Sequence, residues 1–482
     1  MEPPQDRALV PLQSHELMLS RAGQGRILGE MVVSSLELAR ELAPANLDLD
    51  ALVREGKRIQ SGDGMTPENI QAFKLFYQAA TAGHSEAQYV VSNFYTWERG
   101  VKRDHAQAVK WLRKAAESGH TEAENGLGCY YQFGLFDVPQ DHEEAVKWFR
   151  KTAERGDAFG QWNLGICYQK GHGVPQDSEQ AVSWYRKAAE QGHSSGQTFL
   201  GECYLFGWGV PPDHFEAVRW LRKAAEQGNL AAQFCLGGCY YQGFGVSQDY
   251  VEAVNFFRAA AEQNNAEGQN SLGRCYHHGQ GVAQDNKEAV KWYRMAAEQG
   301  KADAQNSLGC AYRDGRGVPQ SYLDAVRWFR IAAEQGHAEA QNNLGSRFVN
   351  GQGVPEDYAE AAKWFRKSAE QGDKWGQYFL GCGYNRGEGV SQDYVEAFKW
   401  LRKAAKQGHS DAQFSLGSCY RNGHGVEIDL PLAYACFKIA ADNGHETADD
   451  LASELEDSMD SSEMATAYEL YEELNEDWFS DR

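Results

Sequence analysis

Long apolar runs are what this sequence lacks first. No stretch approaches the roughly 18 apolar residues that a membrane-spanning helix needs, so no membrane insertion is expected. The opening, MEPPQDRALVPLQSHELM, has neither the basic start nor the apolar run of a secretory leader. A soluble cytoplasmic protein is therefore expected. Basic charge is also in deficit: 47 Lys and Arg face 68 Asp and Glu, leaving a net charge of −21. Without a basic excess to displace phosphate counterions, no nucleic-acid partner is expected.

Catalytic signatures are missing too. The glycine-rich loops GHGVPQD, GWGVPPD and GQGVAQD carry no Gly-Lys-Ser/Thr, no preceding strand pattern and no third glycine of a dinucleotide fingerprint. A turn between helices explains every copy. No Ser-x-x-Lys or Gly-x-Ser-x-Gly nucleophile motif is present. His277 and His278 beside Cys275 are the one local cluster with metal-ligand chemistry. Adjacent helical residues point about 100° apart, and no carboxylate or Cys-x-x-Cys spacing completes a ligand set. The sequence thus predicts no metal, no cofactor and no catalytic residue.

What the chain does have is a period. The unit from Ala158 to His193, AFGQWNLGICYQKGHGVPQDSEQAVSWYRKAAEQGH, recurs with substitutions. Its internal glycine returns every 36 residues, at Gly165, Gly201, Gly237, Gly273, Gly309, Gly345, Gly381 and Gly417. A tryptophan returns at Trp148, Trp184, Trp220, Trp292, Trp328, Trp364 and Trp400, with Phe256 in the same slot. One repeat is a residue longer, within FGLFDVPQD. A fixed period of this size is the mark of a solenoid.

Each unit reads as helix-turn-helix. Gly165 lies inside the first helix, where glycine costs about 1 kcal/mol against alanine; its recurrence predicts a helix contact too close for a side chain. Gly171 stops that helix in a left-handed conformation. Asp177 then caps the second helix, with Gln180 three residues on; Asp213 and Glu216, Asp249 and Glu252, and Asp285 and Glu288 repeat the arrangement. Ala181, Trp184, Tyr185, Ala188 and Ala189 form the apolar stripe of the second helix. Gly192 ends it. Asn264 takes that place in one unit, and asparagine is the other residue at ease there.

The run from Ala338 to Gly372, AEAQNNLGSRFVNGQGVPEDYAEAAKWFRKSAEQG, resembles the Sel1-like repeat, a relative of the tetratricopeptide repeat. The resemblance extends from Ser85 to His445 over ten copies. It implies an all-α fold, an α/α superhelical solenoid of about eleven 36-residue helix-turn-helix repeats that holds other proteins. The worn first repeat occupies residues 49–84 of a 49–445 solenoid. Residues 1–48 are expected to be a partly disordered N-terminal extension with one capping helix, GEMVVSSLELARELA, whose Val32, Val33, Leu36 and Leu42 suit docking on the first repeat or on a partner. Residues 446–482 carry fourteen acids and one base, a charge of −13, with Ala467, Leu470, Tyr471 and Leu474 on one helical side. They read as a polar helical cap, or as an acidic arm for a basic partner.

Five of the ten cysteines (Cys167, Cys203, Cys239, Cys275 and Cys419) share one slot. Stacked helices lie about 8–10 Å apart, beyond disulfide reach, so these are expected as small buried thiols in a reducing compartment. Some Sel1-like proteins are associated with β-lactam binding, but that subfamily pairs two cysteines per repeat and is exported. Here the second cysteine is absent from almost every unit, which leaves an enzyme of that type as the weaker alternative. The main expectation is a non-catalytic scaffold that binds a protein or peptide partner. A regulatory subunit acting through its acidic tail is the other alternative.

The resemblance also suggests where a partner sits. First-helix residues line the concave groove of the related superhelix. The positions that vary there while the frame stays fixed are Trp162, Gln169, Phe234, Tyr241, Asn270, Arg274, His277, Asn306, Arg313, Asn342, Tyr378, Asn385, Phe414 and Arg421. Their aromatic, asparagine and arginine content suits a protein-binding surface. The competing expectation is that many of them pack between repeats.

Overall fold

The computed structural model describes residues 48–479, in which 24 α-helices and no strand are found. The helix expected at 29–43 lies outside the described residues. Two compact units divide at Ala188 and Ala189. The first holds α1 (Leu49–Ile59), α2 (Pro67–Thr81), α3 (Ser85–Trp97), α4 (His105–Glu117), α5 (Thr121–Phe133), α6 (His142–Glu154), α7 (Ala158–Lys170) and most of α8 (Ser178–Glu190). The second holds α9 (Ser194–Phe206), α10 (His214–Glu226), α11 (Leu230–Gln242), α12 (Tyr250–Glu262), α13 (Ala266–His278), α14 (Asn286–Glu298), α15 (Ala302–Asp314) and α16 (Tyr322–Glu334). It continues with α17 (Ala338–Val349), α18 (Tyr358–Glu370), α19 (Lys374–Arg386), α20 (Tyr394–Lys406), α21 (Ser410–Asn422), α22 (Leu430–Asp442), α23 (Ala448–Glu456) and α24 (Ser461–Phe479). From α1 to α7 and from α9 to α23 each helix packs on the next in sequence, and α24 packs on α22.

Local chemistry sets the boundaries. The Asp213 carboxylate accepts the N–H groups of Phe215 and Glu216, each at 3.0 Å, and so opens α10. Asp285 opens α14 in the same way. Gly243 closes α11 at φ +77, with its N–H on the Cys239 carbonyl. Asn264 adopts φ +65, which is why asparagine can replace glycine there. The extra residue of the FGLFDVPQD loop is taken up by left-handed Phe136 and Asp137. Phe136 then stacks on His105 at 4.4 Å.

The helical glycines mark close approach. A Cβ on Gly309 would lie 2.6 Å from the ring of Phe329, one of the largest fully buried side chains. Around it Leu308, Ala325, Ala332 and Ala333 are also buried. The second glycine of each loop has a different duty. Gly317 (φ +77) presses its α-carbon against the backbone at Asn286, the first residue of α14 in the preceding repeat. The Gly-x-Gly loops therefore clamp one repeat to the one before it.

A glutamine ladder adds to this. Gln305 donates its Nε2 to the Ala297 carbonyl of the preceding repeat at 3.1 Å, and its Oε1 accepts from Gln335 at 2.7 Å. Gln269, Gln341 and Gln377 repeat both bonds. Glu124 is the departure. Its carboxylate is fully buried and paired with Arg155 and, at 2.7 Å, with Lys151.

Beyond the last repeat, α23 and α24 pack on α22. Ala452, Leu455, Met459 and Ala467 close over Tyr434 and Phe437, and the Tyr471 hydroxyl donates to Asp442 at 2.7 Å. The acids of this segment sit on a helical pair whose inner side is apolar.

Five histidines after the second-helix glycine serve as N-caps, with Nδ1 accepting a backbone N–H: His84, His120, His193, His337 and His409. That role needs a neutral Nδ1. His409 is 3% exposed, its Nε2 has no partner, and the rings of Tyr378 and Trp375 lie 4.5 and 4.2 Å away. Burial pushes its pKa below the ordinary histidine value, despite Asp411 nearby. Between the lowered folded value and about 6.5 the unfolded chain binds more protons. This part of the stability is therefore complete above about pH 6.5 and declines as the pH falls below it. His409→Asn keeps a capping side chain and removes the titration. Its thermal midpoint should fall less than that of the wild type on acidification; an unchanged pH slope would refute the role.

Candidate functional site

The second unit contains a cavity of about 290 Å³ between α13, α14 and α15, with Glu339 of α17 at its edge. It brings together four of the residues expected to bind a partner: Arg274, His277, Asn306 and Arg313. The one-turn steps of α13 place Arg274 and His277 on its wall. The same slots one repeat later supply Cys310 and Arg313. Arg274 is exposed and makes no hydrogen bond or ion pair among the described residues. The His277 Nδ1–H donates to Asn286 Oδ1 at 3.0 Å, which turns Nε2 away as a free acceptor. Arg313 is held by Asp314 at 2.6 Å and donates to Asn343 at 3.1 Å. Asn343 in turn donates to Asn306 at 3.0 Å. The floor is apolar, with Ala289, Val290 and Ala311 buried.

The other expected binders have different surroundings, and several are not free groove residues. Asn270, Asn306 and Asn342 are all buried. Asn342 donates to Asp373 in the next repeat at 2.6 Å, the bond that Asn125 makes to Asp157 in the first unit. Asn125 and Asn342 thus hold the next repeat's N-cap, because the residue after glutamine faces the junction, whereas the buried Asn270 Oδ1 has no partner. Phe234 packs on Phe257 at 5.9 Å and Phe414 stacks on His445 at 4.1 Å, so both are half-buried between helices. Tyr378 is spent on His409. The Tyr241 hydroxyl donates to Gln280 at 2.6 Å, and Arg421 pairs with Glu454 at 3.3 Å. Asn385 is half-buried with an unpartnered Oδ1. In the first unit Trp162 lies beside Phe159 at 5.6 Å, and Gln169 accepts from the Tyr185 hydroxyl at 2.7 Å.

Sequence reasoning missed two groups. Arg316 and Glu339 complete the cavity's charge, and their slots vary too freely to stand out. Phe206 at the end of α9, Trp208 and Phe244 on the loops and Phe215 at the start of α10 are exposed aromatics of the second unit; Phe215 is 78% exposed.

The ten cysteines are free, eight of them buried and Cys310 and Cys382 partly so. Burial pushes the Cys167 and Cys203 thiols up to about 12 and Cys310 up to about 11. Thiols held protonated in this way are poor nucleophiles.

The Sel1 repeat profile matches eleven segments: 51–84, 85–120, 121–157, 158–193, 194–229, 230–265, 266–301, 302–337, 338–373, 376–409 and 410–445. The chain belongs to the Sel1 repeat family. Among curated proteins, none matches it. Among solved structures it is similar to c5321, a protective antigen present in uropathogenic Escherichia coli strains and displaying an SLR fold. That likeness has 33% identity and a TM-score of 0.51, covering 85% of this chain and 95% of the other. A Sel1 repeat protein from Oxalobacter formigenes is 31% identical over 73% of this chain and 97% of its own, with a TM-score of 0.47. Sel1 and tetratricopeptide-like repeat proteins generally mediate protein–protein interaction. No described helix is long and apolar enough to cross a membrane.

Proposed function

We propose that this Sel1 repeat protein is a non-catalytic scaffold that grips a segment of a partner protein on the first-helix face of its second unit. The observation that carries this reading is the cavity shared by Arg274, His277, Asn306 and Arg313, where donors and acceptors stand over an apolar floor. Interfaces combine such features, and a few arginine and aromatic anchors dominate their energy. Rigid stacked repeats present the site without an ordering cost at binding.

Affinity capture from source lysate with mass spectrometry tests it. Arg274→Glu combined with His277→Ala alters a free side chain and a half-buried one, so the helices should stay intact by circular dichroism. A partner held by the wild type should be lost from this variant. Identical partner lists would move attention to the exposed loop aromatics around Phe215.

A further inference from the structure

The charge in this cavity is unbalanced. Three arginines of its lining, Arg274, Arg313 and Arg316, face two carboxylates, Asp314 and Glu339, and Arg347 stands close to Arg313 behind them, in a chain that carries −21 overall. Asp314 does most of the neutralising. It holds Arg313 at 2.6 Å and lies 3.6 Å from Arg316. The hydrogen bond from Arg313, with Arg316 and Arg347 close by, keeps its carboxyl below the usual range. Arg347 is half-buried, bonded to Gln352, and its Nε–H is buried with no partner. Burial, with Arg313 beside it, pushes its pKa down. Arg274 makes no ion pair among the described residues, and Glu339 at the rim makes no hydrogen bond and adds its negative charge on the side of Arg313. Buried or crowded guanidinium groups left without anions are costly, and arginine forks suit carboxylates.

We infer that this cavity recognises the carboxylates of an acidic segment of the partner protein. The inference rests on the scaffold reading above and names the chemistry of its ligand. Size supports a peptide side chain over a cofactor: about 290 Å³ lies at the small end of ligand pockets, which run from roughly 300 to 1,000 Å³. The Asn286 amide and the His277 ring offer hydrogen bonds to a peptide backbone, and the floor of Ala289 and Val290 accepts an aliphatic neighbour of the acid.

The test is selection from a displayed random-peptide library on the full-length protein, with the winners re-measured on Arg274→Glu. Arg274 is exposed and unpaired, so this variant keeps its fold. Selected peptides should be enriched in Asp and Glu. Their affinity should fall about tenfold on Arg274→Glu, and also fall as salt rises. Peptides without acid enrichment that bind the variant equally well would overturn the acidic chemistry while leaving the scaffold reading in place. Failure to select any peptide, together with no partner capture from lysate, would overturn both. Failure of the selection alone would overturn the acidic-segment inference.

Discussion

Gly317→Ala will loosen the junction between the repeats at 266–301 and 302–337, at a cost of about 3 kcal/mol. Two effects add. A left-handed backbone costs an L-residue about 1–2 kcal/mol, and overpacking costs about 1–3 kcal/mol more. The new methyl would have to occupy space already filled by the Asn286 carbonyl, which is backbone and cannot swing away. Gly336→Ala is the matched control. That glycine has φ +92 but open space around its α-carbon, so only the conformational cost of about 1–2 kcal/mol applies. Repeat arrays open locally. Hydrogen exchange should therefore rise in the first turn of α14 and the loop before α16 for Gly317→Ala, and stay at wild-type rates there for Gly336→Ala. Equal behaviour of the two variants would mean that the loop does not clamp its neighbour.

Removing the cations beside Glu124 will destabilise the first unit by about 3 kcal/mol. Lys151→Gln with Arg155→Gln strands a fully buried carboxylate, and broken buried pairs cost about 3–5 kcal/mol. The lower end applies because both cations are nearly half exposed on the water side. Adding Glu124→Gln should recover most of the loss. It recreates the pair that Gln305 and Gln335 form elsewhere, since position 124 is the ladder slot and position 155 is its partner slot. Urea unfolding of the three proteins measures this. A triple variant no more stable than the double would show that the ion pair is not a charged copy of the glutamine ladder.

Much of the fold was legible in the chain, for reasons that single positions make plain. A glycine inside a helix is costly, so its return at Gly309 announced a contact, and Phe329 is that contact. Asn264 stood where a left-handed residue was required and is left-handed. Periodicity reports on backbone conformation and on the core, because those demands are the same in every repeat. The site was less legible. Variable first-helix positions serve two masters, partner and neighbouring repeat, and residue type does not separate them. Asn342 and Arg274 looked alike as candidates. One is bonded across a repeat junction and the other stands free. The glutamine ladder was visible as a recurring letter, but its double bond across repeats needs three dimensions.

The most direct measurement is photo-cross-linking from within the cavity. Benzoylphenylalanine would replace His278, which is exposed and lines the cavity, or Val251, which is 57% exposed at the start of α12. The account predicts that a partner is cross-linked from position 278, and that Arg274→Glu suppresses the product while position 251 gives background alone. Strong cross-linking from 251 with none from 278 would contradict it, and would place the partner on the second-helix side instead.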